Sequence, residues 1–544
     1  MPAITVFAAR RIHTFNPSRP TATHVAVRDG RILGVGTLDE VAGWGSYALD
    51  DRFADHVLLP GFVEGHTHLM AGGVWRYVYC GVFDARDPQG EVVRGSPDFD
   101  AVVGALSRRA RDTADEGGPV AGWGFDPIYF GADRLTRHHL DRVSRDRPVG
   151  VMHASGHILV ANSVALEQAG RLRPGIDHPG VPLGDDGLPT GELKGPEAMI
   201  PLMKVVGLGS QLEGADAAGL QAFSRLAVGA GVTTATDLGA TFSRRALDAF
   251  AEETARDDFP LRLVWLLRTM GLKPAEAIDQ ALALRARSTN RLRLGAVKVV
   301  ADGSIQGFSA RLRWPGYYNG APQGLWYVAP EDLQAIYVLG LQHGVQVHTH
   351  TNGDEATDLA LDCLEAALRD HPGPDHRFML QHCQLADAAQ FRRMKALGFG
   401  VNLFANHHFY WGDLHRAVTV GPERAERMNA CRTALETGVP FAIHSDAPVT
   451  PMAPLFTAWC AVNRLTASGR VLGEGQRIGV MDALRAVTLG AAWSLKLDGE
   501  IGSIEVGKRA DFAVLAEDPF QVDPSRLKDV PVWGVVQGGR PFAA

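Results

Sequence analysis

Cysteine is scarce: five residues in a chain of 544, with no CxxC pair among them. That excludes a disulfide framework. Long apolar runs are missing too. Nowhere do about 18 apolar residues follow one another, so no transmembrane helix is expected. The opening MPAITVFAARRIHTFNP lacks a basic stretch leading into a long apolar one, so no signal peptide is expected and a reducing cytoplasm is the expected compartment. No polybasic run occurs, and the 54 Lys and Arg are interspersed with 61 Asp and Glu for a net charge of -7. Nucleic acid and membrane surfaces are therefore not expected as partners. No internal repeat and no low-complexity tract breaks the chain.

What is there is ordinary for a soluble globular protein: 46% hydrophobic and 21% charged residues. The length favours several domains, or one large barrel with additions. Both ends alternate short apolar runs with turns, as in HVAVRDGRILGVG near the start and GSIEVGKRADFAVL near the end, and such runs read as hairpins. Between them, eight short apolar strands alternate with helical patterns, at 57–65, 231–237, 261–267, 294–300, 344–350, 378–383, 400–404 and 439–446. That rhythm predicts parallel β structure and an α/β fold, a (β/α)₈ TIM-like barrel. The gap between the first two strands is far longer than a βα unit needs, so a large insertion follows strand one. The expected organisation is a composite β-sandwich from residues 1–56 and 498–544, a barrel from 57–73 and 216–497, and an insertion, 74–215, covering the active site.

Active sites of such barrels sit at the C-terminal ends of the strands. There the chain places His66 and His68 after strand one, Lys298 near the end of strand four, His350 on five, His382 on six and Asp446 on eight. Residues two apart on a strand share a face, so His66 and His68 can both look into the mouth. Ionisable groups at the ends of apolar strands are costly to bury unless paired or metal-bound. A divalent metal accounts for them together, since imidazole and carboxylate suit Zn, and also Mn, Fe, Co or Ni. Lys298 fits such a set if desolvation lowers its pKa and it takes up CO₂ as a carbamate, an anionic oxygen donor. Paired to Asp302 it would instead be structural, and Asp446 could cap a helix as well as act in catalysis.

The ordered pieces LPGFVEGHTHL, VKVVADGSIQG, HTNGDEA, QHCQL, HSDAPVTP and GSIEVGKRADFAVL resemble the amidohydrolase superfamily of metal-dependent hydrolases. GWGFD, DRVSRDRPV and ASGHILVANSVAL, within the insertion, resemble its subgroup of N-substituted formamide deformylase-like proteins. The resemblance implies two metals per chain. His66 and His68 would bind the more buried one, carboxylated Lys298 would bridge, and His350 and His382 would hold the second. Asp446 would touch the first metal and the attacking water.

The expected reaction is hydrolysis of an amide-type C–N bond, in an N-acyl or N-formyl amine or a carbamate, with Asp446 shuttling the proton. An ester, lactone or cyclic amide could be cut at the same site, and a non-catalytic metal-binding regulator is the reading of another class. Candidates for contacting a small-molecule substrate are Trp123, His153 and His157 in the insertion, Phe308 after strand four, and His407, His408 and Trp411 after strand seven. An aromatic-rich rim of this kind favours a hydrophobic or aryl-bearing substrate. A homodimer is expected by analogy.

Overall fold

The computed structural model describes residues 4–131, 133–156, 158–208, 216–240 and 244–544. They fall into two compact units, Met1–His68 with Ala227–Ala544, and Leu69–Leu226.

The first unit carries two sheets. One draws strands from both ends of the chain into a seven-stranded ladder, with the long strand Tyr47–Pro60 in the middle. That strand pairs in parallel with Ile4–His13 and antiparallel with Phe512–Leu515, so Leu59 sits opposite Ala513. Its first half is mostly exposed, whereas Val57–Pro60 is wholly buried. Phe7, Phe53, Phe512 and Val514 form the apolar core against which it packs. The strand runs straight on into the barrel, where the Gly61 amide donates to the Asp511 carbonyl at 2.9 Å. Below that junction the Asp511 carboxylate meets the Arg262 guanidinium at 2.7 Å, a fully buried pair that ties the terminal sheet to barrel strand three.

The other sheet is the barrel. Eight parallel strands lie side by side in chain order: Phe62–Glu64, Val232–Ala240, Arg262–Arg268, Val297–Val300, Val347–Thr351, Met379–His382, Gly400–Leu403 and Phe441–Ile443. Their near-continuous burial is what a sheet covered on both faces requires. The circle closes at its mouth, just past the ends of strands one and eight. There Thr67 and Ala447 form a parallel bridge, the Asp446 amide donates to the His66 carbonyl at 3.0 Å, and the His68 amide donates to the Ala447 carbonyl at 2.8 Å.

Helices follow each strand from the second to the eighth. Local sequence sets their ends. Pro274, Pro330 and Pro454 open three of them, at the first turn where a missing N–H costs nothing. Gly344 ends the helix that Pro330 opens, and Gly398 ends Ala388–Leu397, both in the left-handed region at φ 61° and 78°. Asp387 caps Ala388–Leu397 by accepting from the Gln390 amide at 2.9 Å, and Gln390 returns the bond to the Asp387 amide.

The second unit holds a five-stranded sheet. Val78–Tyr79, Val120–Phe125 and Val149–His153 run parallel, and Ile158–Ala161 and Glu192–Lys194 continue it antiparallel. Two apolar clusters pack within this unit. One contains Trp123, Met152, Leu193 and Leu202; the other contains Leu106, Phe125, Val151 and Val160.

Candidate metal centre

The closure of the barrel is what aims the first two histidines. The segment His66–His68 is pinned on both sides: its outer backbone groups bond strand eight, while the Thr67 carbonyl accepts from the Leu238 amide of strand two at 3.1 Å. Thr67 also buries its hydroxyl against strand two, donating to the Thr236 carbonyl at 2.5 Å. Alternation then turns His66 and His68 the other way, so their side chains share a face although both lie beyond the ladder of strand one. Strand eight is clamped from the same strand. Glu64 accepts from the Ser445 amide at 3.0 Å and from its hydroxyl at 2.9 Å, which fixes the residue before Asp446.

Around this closure the side chains converge. The His66 Nε2 lies 3.5 Å from Lys298 Nζ and 3.5 Å from Asp446 Oδ1. His68 Nε2 lies 3.3 Å from the same Oδ1, and its Nδ1 is 3.4 Å from Asp237 Oδ1 at the end of strand two. His382 Nδ1 is 3.0 Å from His444 Nε2 and 3.9 Å from Asp446 Oδ2. Among the described residues two sets have ligand atoms close enough to share one ion: His66, His68 and Asp446, and His66, His382 and His444. His382 and Asp446 hold positive φ values of 72° and 55°, conformations unfavourable for side-chain-bearing residues and seen where a site dictates the backbone.

A layer of polar side chains beneath orients these donors. Gln381 Oε1 lies 2.8 Å from His66 Nδ1 and also accepts from Asn402 Nδ2 at 3.1 Å, and Gln381 Nε2 lies 2.8 Å from His348 Nδ1. An amide oxygen only accepts, so His66 carries its proton on Nδ1 and turns the lone pair of Nε2 toward Lys298 and Asp446. That is the tautomer a metal ligand needs, fixed by an outer partner.

Electrostatics favour the same occupant. Burial, reinforced by Lys298 for His66 and by His350 for His382, holds both imidazoles well below their ordinary value, so they are neutral donors. Burial pushes the Lys298 amine down to about 7, against the pull of Asp446. A lysine near neutrality is nucleophilic enough to take up CO₂. His68 goes the other way: burial lowers it, but Asp237 and Asp446 outweigh that and raise it to about 9. In effect a proton on His68 serves the two carboxylates, a place where a metal cation would displace it. Among the described residues His444 Nδ1 is buried without a hydrogen-bond partner, and Asp446 Oδ1 has only the two histidine nitrogens at 3.3 and 3.5 Å. Neutral imidazoles, two carboxylates and an orphaned buried donor atom fit a divalent ion.

The remaining candidates separate. Lys298 is the second residue of strand four, in register with His348, and so lies one layer below His350 rather than at the strand's end. His350 packs its ring on His382 at 4.5 Å, yet its nitrogens join neither ligand set among the described residues. Its Nε2 faces Asn352 Nδ2 at 3.0 Å and the Gly303 carbonyl at 3.4 Å. His408 is scaffold: Nδ1 lies 2.7 Å from the Ala405 carbonyl and Nε2 3.1 Å from that of Met428, which leaves no nitrogen for a substrate. His407 and Trp411 are buried with ring centroids 4.4 Å apart. Phe308 is half-buried at φ 53° with its ring on Tyr317. In the second unit Trp123 packs against Trp75 and Tyr79, and His153 is buried beside Phe125 with neither nitrogen bonded. His157 lies outside the described residues.

Sequence reasoning missed His444, Gln381, Asp237 and the Glu64 clamp. His444 could have been found, since it stands two before Asp446 at the end of the same apolar run. Gln381 could not, because a glutamine inside an apolar strand carries no signature of its own.

A profile of the amidohydrolase family matches residues 54–543. The N-substituted formamide deformylase of Arthrobacter pascens is 26% identical over 540 residues, covering 96% of this chain and 95% of that protein. Protein LONG AFTER FAR-RED 3 of Arabidopsis thaliana is 28% identical over 539 residues, covering 94% and 88%. The crystal structure of an uncharacterized metal-dependent hydrolase from Pyrococcus horikoshii OT3 superposes with a TM-score of 0.72 at 22% identity, covering 96% of this chain and 99% of that one.

Proposed function

The chain belongs to the amidohydrolase family and is an enzyme of that class, a hydrolase acting on carbon–nitrogen bonds; from that premise we propose that it cleaves the amide bond of an N-acyl or N-formyl amine at the cluster of His66, His68, Lys298, His382 and Asp446. The observation that carries the reading is Asp446, a buried carboxylate whose Oδ1 lies 3.5 Å from His66 Nε2 and 3.3 Å from His68 Nε2. The similarity to a formamide deformylase supports the choice of bond.

Two divalent ions, zinc among the suitable ones, would be held by His66, His68 and Asp446 on one side and by His382 with His444 or His350 on the other. Lys298, whose amine lies 3.5 Å from His66 Nε2, would supply an anionic oxygen donor as a carbamate. Such ions lower the pKa of water and polarise a carbonyl oxygen.

The chain's own part is proton traffic. Asp446 accepts the proton of the attacking water on its carboxylate and carries it to the leaving nitrogen, since an amine departs poorly as an anion. Glu64 and Ser445 hold the backbone on which that carboxylate turns. Gln381 keeps His66 in its donor tautomer throughout.

The test is a panel of N-formyl and N-acyl amines, with esters and lactones alongside, on protein made with zinc or manganese supplied. Asp446→Asn should keep most of its metal and lose at least about 100-fold in kcat. Near wild-type turnover in that variant refutes the shuttle, and turnover of esters alone refutes the amide reading.

A further inference from the structure

The loop after barrel strand seven carries a chain of hydrogen bonds that the mechanism above does not use. His407 opens the helix His407–Leu414, and the turn His415–Thr419 that follows is π-helical, with the Val420 amide donating to the His415 carbonyl five residues back at 3.0 Å. Such widened turns recur at functional sites. Here the geometry lines up three side chains. His407 Nδ1 is 2.8 Å from His415 Nε2, and His415 Nδ1 is 2.7 Å from the Thr419 hydroxyl. All three residues are at most 1% exposed.

The arrangement has a direction. One end is the threonine hydroxyl, which can donate or accept. The other end is His407 Nε2, which has no hydrogen-bond partner among the described residues. With the hydroxyl donating, each imidazole receives on Nδ1 and His407 presents an N–H at Nε2. With the hydroxyl accepting, both carry their proton on Nδ1 and His407 presents a lone pair. In both arrangements each ring carries one proton and is neutral, as the accepting ring of an N–H···N bond must be. Burial, with the neighbouring His415, holds His407 well below the ordinary value.

The free end lies beside the metal centre. The His407 ring packs on Phe404 at 4.8 Å, and Phe404 stacks on His444 at 4.9 Å. Trp411 covers His407 at 4.4 Å. His407 is thus one aromatic ring removed from the ligand cluster.

We propose that His407 is a substrate-contacting, specificity-determining residue: its Nε2 hydrogen-bonds a polar atom on the arm that extends past Phe404, and His415 and Thr419 are positioning residues that set the tautomer it offers. The chemistry it fits is a flat or aryl-bearing arm, for the Trp411 and Phe404 faces, with one uncharged hydrogen-bonding group. This rests on the amide-hydrolase reading above.

Two side chains split the imidazole's functions. Glutamine reaches the position of Nε2; asparagine reaches only that of Nδ1. On the panel of N-formyl and N-acyl arylalkylamines, His407→Gln should lose about threefold in kcat/KM. His407→Asn and His407→Phe should lose about 10- to 100-fold, mostly through KM, the range for one lost hydrogen bond to a substrate. Metal content should match the wild type in all three. His415→Phe should act like His407→Asn while leaving its own metal content intact. Rescue by asparagine rather than glutamine, with the melting midpoint following the same order, makes the chain structural and overturns the proposal. So do three variants all equal to wild type. Wild-type protein that cuts only esters overturns the amide reading, and the rank order still decides His407; wild-type protein that cuts nothing in the panel overturns both.

Discussion

At the scale of single residues, the side chain that matters most after the ligands is one that touches no substrate. Gln381 serves His66 through its oxygen and His348 through its nitrogen, each at 2.8 Å. An imidazole whose outer nitrogen loses its acceptor is free to rotate and to exchange tautomers. Gln381→Leu keeps the volume of the site and removes both bonds. We predict that it weakens metal binding by about 10- to 100-fold, the usual effect of losing an outer-shell partner. Competition against a fluorescent zinc chelator measures this directly. Unchanged affinity would mean that the neighbouring strands alone hold His66 in place.

At the scale of elements, the closing seam between strands one and eight does two jobs, shutting the barrel and setting Asp446. Strand one contributes only three ladder residues, so the seam depends on the Thr67–Ala447 bridge and on Glu64 accepting twice from Ser445. Burial raises Glu64 to about 8, a measure of how fully water is excluded there. Glu64→Ala should cost about 1–3 kcal/mol, because the Ser445 amide and hydroxyl lose their buried partner. Chemical unfolding would report it, and hydrogen exchange should show the Asp446 amide opening sooner than those of strand four. A sequence shows strands better than seams. All eight barrel strands were legible, because continuous apolar runs such as LRLVWLL and VPFAI are unusual outside a sheet covered on both faces. The six ligand candidates, His66, His68, Lys298, His350, His382 and Asp446, stood out as ionisable residues in or just after those runs. Strand one was expected to be longer than it is, since VLLP belongs to the terminal sheet and only FVE to the barrel, an allocation made by pairing with Ala513 and Val232 that no local pattern announces. The inner polar layer of Gln381, Asn402 and His348 was hidden for a similar reason: partners from three strands meet only once the barrel has closed.

At the scale of the whole molecule, the predictions concern what holds the charges in balance. Protein prepared with metal available should carry close to two ions per chain by elemental analysis. Lys298→Met should bring that to about one, since the residue between the two sites is gone; one ion in both proteins would limit the centre to a single metal. The second balance is against protons. The chain buries many imidazoles, and several stand at about 3: His153 in the second unit, and His348, His415 and His444 in the barrel unit. His153 is the cleanest to test, being far in sequence from every ligand candidate and depressed by burial first and by Arg134 and Lys194 second. Its folded pKa lies below the unfolded value near 6.5. The unfolded chain therefore binds the extra proton, and the stability this group contributes is present above about pH 6.5 and is lost as pH falls toward 3. Between pH 7 and pH 5 the loss from His153 is about 2 kcal/mol. His153→Leu removes the titration along with two buried nitrogens that have no partner. Urea unfolding of the second unit's transition should then depend less on pH than in the wild type, by roughly that amount. An equal acid sensitivity in both proteins would mean that His153 takes up its proton without unfolding, through a partner it acquires as it becomes charged.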